Sequence, residues 1–174
     1  MADEKPAVLF LGPPKKHILA GLEEEFTVHA VVHPKDLADD LVARLAPHLR
    51  FVAVGGPPGG ADGALMQRFG KLEIVASFGV GYDNIDAQWA AAHGVIVTNT
   101  PDVLTEEVAD TAIGLLLCTV RELPRAERYL RAGEWARKGD YRLTASLRDR
   151  TVGLVGLGRI GQAIARRLEA MRGP

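Results

Sequence analysis

Two glycine-punctuated runs carry the residues whose types and spacing can do chemistry. In the later one, Thr151-Val152-Gly153-Leu154-Val155 is short, apolar and β-branched, which reads as a buried parallel strand. Gly156, Gly158 and Gly161 follow in GxGxxG spacing, and Ile160, Ala163, Ile164 and Leu168 then recur at helical spacing. A strand, a glycine turn and a helix in that order form the unit that grips a dinucleotide pyrophosphate. Gly156 permits the tight turn, Gly158 keeps a Cβ away from the phosphates, and Gly161 lets the helix pack close to the strand. The helix N-terminus adds unpaired N–H groups and a partial positive charge. An incidental glycine turn would use the same letters; the strand-to-helix context favours the nucleotide.

The earlier run is Ile74-Val75-Ala76-Ser77-Phe78-Gly79-Val80-Gly81-Tyr82-Asp83-Asn84-Ile85-Asp86. Here a strand ends in a glycine turn, and Asp86 is placed to cap the next helix. The N–H groups of Val80 and Gly81, exposed in a nest, could hold a small carboxylate. Such a site lies at the carboxyl ends of the strands, where open α/β sheets bind ligands, and the loop Gly55 to Gly60 should border the same edge. Taken alone, two glycines making a tight turn would be the better reading.

The elements that must position these loops alternate from Ala7 onward. Strands are predicted at Ala7 to Leu11, Phe26 to Val32, Phe51 to Val54, Leu72 to Ala76 and Val95 to Thr98. Between them lie helices at Lys15 to Glu25, Pro34 to Pro47, around Leu65, Met66 and Phe69, and Ile85 to His93. Short apolar strands alternating with amphipathic helices imply a parallel sheet, and five such units suit a flavodoxin-like domain by fold analogy. Beyond a boundary near Asn99 to Asp102, Thr105 can cap a long helix with Glu106 and Glu107 in its first turn. Val108, Ala112, Leu115, Leu116 and Val120 give it a wide apolar stripe, and Ala109, Ala112 and Gly114 allow a close neighbour. Pro124 marks a kink or a break. A polar stretch from Arg131 to Arg150, containing Trp135 and Tyr141, leads to the dinucleotide strand.

Bulk properties bound the function classes. At 174 residues, 47% apolar and 25% charged, the chain is an ordinary globular sequence and not a disordered one. No secretory signal is visible, and the stretch Ala112 to Val120 is too short to span a bilayer, so a cytoplasmic protein without a membrane partner is expected. The single cysteine, Cys118, excludes an internal disulfide and reads as a buried, inert thiol. Residues 1 to 120 carry eight Lys/Arg against sixteen Asp/Glu, and residues 121 to 174 carry thirteen against six. The basic half places Arg121, Arg125, Arg128 and Arg131 at helical spacing among Glu122 and Glu127, which reads as a solvated helix face, so no nucleic-acid partner is expected. No metal site is expected either.

Taken in order, Ser77 to Asp86 (SFGVGYDNID), Asn99 to Thr105 (NTPDVLT), Val108-Ala109-Asp110 and Val155 to Gly161 (VGLGRIG) resemble the D-isomer-specific 2-hydroxyacid dehydrogenases. The likeness is strongest to the bacterial glyoxylate/hydroxypyruvate reductase group and spans nearly the whole chain. It implies a substrate-binding lid domain at residues 1–100. At 101–174 it implies a hinge helix, a dimerisation arm and the first βα unit of a Rossmann domain for NAD or NADP. By position, Val80 and Gly81 would bind the carboxylate of a small 2-oxo or 2-hydroxy acid, with Val80 also near the nicotinamide. Thr105 would face the cofactor, and Gly156, Gly158, Arg159, Ile160 and Gly161 would hold its pyrophosphate. The stretch around Trp135 resembles an arm that reaches a partner subunit's site in a homodimer; Trp135 as a plain packing residue fits equally.

The same resemblance places the family's catalytic Arg, Glu and acid/base His beyond residue 174, together with the residue that selects NAD or NADP. The chain therefore reads as truncated within the cofactor domain, and negligible turnover is expected from it alone. His17, His29, His33, His48 and His93 match no catalytic position and read as surface or packing residues. The implied function is reduction of a small 2-oxo acid such as glyoxylate or hydroxypyruvate. Two other readings stand beside it: a non-catalytic dinucleotide-sensing or interaction module of the same superfamily, and a flavodoxin-like small-molecule binder.

Overall fold

The computed structural model describes residues 5–171. The chain divides into two compact units, the first ending at Pro101 and the second beginning at Asp102.

The first unit is an α/β layer structure. Strands β1 (Ala7–Leu11), β2 (Thr27–Val31), β3 (Phe51–Val54), β4 (Ile74–Ser77) and β5 (Ile96–Thr98) form one sheet of order β2-β1-β3-β4-β5. Every pairing is parallel, with Leu9 beside His29 and Val52, and Val52 beside Val75. The middle of the sheet is buried on both faces because crossover helices cover both. Accordingly Val8, Leu9, Phe10 and Leu11 of β1 are all buried, whereas the edge strand β5 is mostly exposed. Each such fully buried side chain contributes about 1.5–3 kcal/mol relative to exposure. Leu45, Leu49, Met66, Phe69 and Ile85 complete this core from the helical layers.

The connecting helices are α1 (Lys16–Glu25), α2 (Asp39–Leu45), α3 (Gly63–Met66) and α4 (Ala87–Ala92). Asp62 and Asp86 cap α3 and α4, their carboxylates accepting from Leu65 N at 2.7 Å and Trp89 N at 2.9 Å. The single helix predicted from Pro34 to Pro47 is instead a 3-10 turn, Pro34–Asp36, followed by α2. Leu37 and Ala38 between them are extended, with Leu37 at φ −70° and ψ 106° turned into the core at 6% exposure. Burying Leu37 costs one helical turn.

The second unit is helical: α5 (Thr105–Val120), α6 (Leu123–Arg131), α7 (Glu134–Lys138) and α8 (Arg159–Ala170). Helix α5 packs on α8 with Ala109 and Ala163 completely buried, small side chains permitting a close approach. Arg167 of α8 fastens the pair, its Nε 2.7 Å from Asp110 and its Nη2 2.8 Å from Glu106. The Glu106 carboxylate, and Asp110 after it, push the Arg167 guanidinium above its already high value. The break near Pro124 is complete: Glu122 sits in the left-handed region at φ 51°, and its carboxylate receives the Tyr141 hydroxyl at 2.8 Å and pairs with Arg142. Cys118 is half-buried, not buried as the sequence suggested.

Two further expectations are corrected here. Thr105 is the first helical residue rather than the cap; Leu104 occupies the cap position and makes no side-chain capping bond. Thr151 to Val155 is not a strand and not buried. Val152 is 38% exposed and Val155 fully so, because a strand needs a neighbour to take its N–H and C=O groups. Among the described residues the second unit contains no strand to supply one.

Candidate functional site

In the first unit, three connections leave the carboxyl edge of the sheet and are tied together by backbone bonds. The Gly55 to Gly60 loop after β3 is anchored by Gly55 N donating to Leu11 O at 2.8 Å and Gly59 N to Gly56 O at 2.9 Å. Gly59 lies so close to β1 that an added Cβ would stand 2.2 Å from Leu11 O, a position only glycine can occupy without displacement. Asn84 Nδ2 donates to Gly59 O at 2.8 Å, and Ala61 N to Asn84 O at 3.0 Å. The loop after β4 is thereby seated against the loop after β3, as the sequence suggested.

Within the β4 loop, Phe78 N donates to Val54 O at 2.8 Å and Thr100 N to Gly79 O at 2.9 Å. Asn99 Nδ2 donates to Val80 O at 2.7 Å. Among the described residues, neither the Val80 nor the Gly81 N–H has a protein acceptor. Two adjacent donors at the rim of a parallel sheet suit one carboxylate. The nest expected there is not formed as such: no residue from Phe78 to Asn84 has positive φ, so the alternating-hand backbone of a nest is absent. Asn99 is the residue the sequence reading missed; only its place beside the motif boundary signalled it. Among the histidines, His93 stacks on Trp89 at 3.8 Å, whereas His17 meets the edge of Phe78 at 6.2 Å, beside this loop.

In the second unit, Gly156 has φ 93° and turns the chain into α8. An added Cβ at Gly161 would stand 2.2 Å from Gly156 O, so this glycine admits the turn itself against the helix, where a strand had been expected. At Gly158, which precedes α8, an added Cβ meets nothing within 4 Å, leaving the space above the helix end open. The N–H groups of Arg159, Ile160 and Gly161 begin the helix and lack intrahelical acceptors. The turn thus presents donors, an open approach and a helix end, which fits a pyrophosphate.

Arg159 does not lie loose over this turn. Its Nε is 2.8 Å from Asp102, and the two line an open cleft of about 330 Å³ with Thr105, Glu106, Gln162 and Arg166. The structure therefore brings Thr105 and Arg159 to one cleft. Asp102, in the left-handed region at φ 69°, was not singled out in the sequence. Trp135 on α7 is 53% exposed. Among the described residues no helix is long and apolar enough to cross a membrane.

Comparison with known proteins gives concordant relatives. The chain is 51% identical to the NADPH-dependent glyoxylate/hydroxypyruvate reductase of Sinorhizobium meliloti, whose structure holds NADP and malonate; the TM-score is 0.81 over 96% of this chain and 51% of that one. A 2-hydroxyacid dehydrogenase from Ketogulonicigenium vulgare matches with TM-score 0.84 and 39% identity, over 96% of this chain and 52% of that one. A glyoxylate/hydroxypyruvate reductase of Arabidopsis thaliana is 50% identical over 121 residues, 70% of this chain and 38% of the relative. The chain spans about half the length of the solved relatives it matches and less of the Arabidopsis protein. With residues 8–171 matched by the model of the D-isomer specific 2-hydroxyacid dehydrogenase catalytic domain, the chain belongs to that family.

Proposed function

We propose that the chain serves an NAD(P)-dependent oxidoreductase that reduces a small 2-oxo acid, such as glyoxylate or hydroxypyruvate, to the 2-hydroxy acid. The observation that carries this is the pair of Val80 and Gly81 N–H groups, without protein acceptors among the described residues, at the carboxyl edge of the sheet. They hold the substrate carboxylate, and Asn99, through the Val80 carbonyl, fixes the peptide that carries the Gly81 N–H. Gly156, Gly158, Arg159, Ile160 and Gly161 hold the pyrophosphate, and Thr105, which shares a cleft with Arg159, faces the cofactor. The nicotinamide, when bound, supplies the hydride for C2 of the 2-oxo acid. Support comes from the S. meliloti relative, described as NADPH-dependent and as a complex with NADP and malonate, a small carboxylate. The protein is a homodimer in this reading, with Trp135 either packing the arm or reaching the partner.

In this reading the 174 residues supply binding groups, and none of them is matched to the Arg, Glu and His that the resemblance implies. Proton transfer and carbonyl polarisation each contribute orders of magnitude to rate. The test pairs binding with turnover. Glyoxylate is expected to shift the Val80 and Gly81 amide resonances, and NADPH those of Arg159 to Gly161. The 174-residue chain is expected to oxidise no NADPH with glyoxylate, while a chimera extended with the second half of the S. meliloti reductase does. Silent amides at saturating ligand, or a chimera that binds both ligands without turnover, would refute the enzymatic reading.

A further inference from the structure

The carboxylate loop has a cationic neighbour that the reading above does not use. In a parallel sheet of order β2-β1-β3-β4-β5 the ligand crevice falls at the switch point between β1 and β3. The chain leaving β1 reaches Lys15, the residue that precedes α1. The chain leaving β3 is the Gly55 to Gly60 loop, in which Pro57 and Pro58 stand exposed between two pairs of glycines. Lys15 Nζ lies 4.4 Å from the ring centroid of Phe78, the residue that follows β4. His17 meets the same ring edge-on, its plane at 68°.

Among the described residues no carboxylate pairs with Lys15 or His17. Lys15 is half-buried, and Phe78, on whose ring it rests, is 46% exposed. An ammonium on an aromatic face is weakly held, and a carboxylate within reach outcompetes the ring. The four-carbon stem allows that change without moving backbone.

We propose that Lys15, perched on Phe78 beside His17, determines specificity for 2-oxo acids that carry a second carboxylate. The first carboxylate takes the Val80 and Gly81 N–H groups, and the second takes the Lys15 ammonium in place of the Phe78 ring. The inference rests on the reading of Val80 and Gly81 as the carboxylate site.

The experiment titrates the full ¹⁵N-labelled chain with glyoxylate and, separately, with malonate, following the Val80 and Gly81 amides. Lys15→Met is expected to weaken malonate about two- to fivefold, the range for one partly exposed ion pair. Glyoxylate affinity stays unchanged in the same variant. Lys15→Gln should behave as Lys15→Met, and Lys15→Arg should keep the preference for malonate. Equal weakening of both ligands, or unchanged malonate affinity, overturns the role of Lys15 while the glyoxylate shifts leave the loop assignment standing. Failure of glyoxylate to move either amide in the parent chain overturns both.

Discussion

Replacing Gly59 by alanine tests whether the floor of the proposed site is as closely packed as the structure shows. The new Cβ would lie 2.2 Å from Leu11 O, 2.6 Å from Leu11 C and 2.8 Å from Gly12 Cα, where ordinary contact starts at 3.4 Å. All three are backbone atoms of β1 and its exit, so no rotamer change relieves the clash. The β3 loop must back away from β1 by about 1 Å, straining an overpacked contact at a cost of roughly 1–3 kcal/mol. It also stretches the bond from Gly55 N to Leu11 O, now 2.8 Å. With about 1 kcal/mol for a weakened backbone bond, the first unit should lose roughly 2–4 kcal/mol. At about 4–8 °C per kcal/mol for a domain of this size, the midpoint should fall by roughly 8–30 °C. The internal control is Gly21→Ala in the middle of α1, where an added Cβ meets nothing within 4 Å. That change should raise stability by about 0.5–1 kcal/mol through helix propensity alone. Trp89 belongs to the first unit and Trp135 to the second, so Trp89 fluorescence in a Trp135→Phe background follows the relevant transition. A Gly59→Ala midpoint equal to that of the parent would show that the loop does not lie against β1 as described.

Two other perturbations address the site and the second unit. Asn99→Ala removes the 2.7 Å bond to Val80 O, so hydrogen exchange at Val80 and Gly81 should quicken and glyoxylate affinity fall about threefold to tenfold, as for loss of one hydrogen bond; unchanged exchange would refute the positioning role. Glu122→Gln should bring the Tyr141 titration down toward 10.0, read by tyrosinate absorbance, because the Glu122 carboxylate is the chief group holding that hydroxyl above its ordinary value. The signs for the parent chain follow from the same pair. Tyr141, raised, contributes stability that is complete below 10.0 and lost as pH rises through its folded value. Glu122, lowered first by the Tyr141 hydroxyl and then by Arg142, contributes stability that is complete above 4.5 and lost as pH falls through its folded value. An unshifted Tyr141 titration in Glu122→Gln would contradict this account.

The sequence by itself determined the alternation of elements in the first unit, because apolar periodicity is a local signal and each strand carries its own. It also determined the Asp86 cap and the turn at Gly156, since a capping carboxylate and a left-handed glycine act within a few residues of themselves. Tertiary structure decided the rest. Leu37 left its helix because the core had room for it, a fact no periodicity contains. Thr151 to Val155 has the composition of a buried strand, but a strand is a relation between two chains of peptide groups, and the described residues of its unit offer no second one. The proposed carboxylate site was legible as a motif, yet the bond that holds Val80, given by Asn99, and the cation that reaches Phe78 from Lys15 join residues far apart in sequence. They meet because parallel strands bring their carboxyl ends to one edge. Spacing along the chain cannot express that.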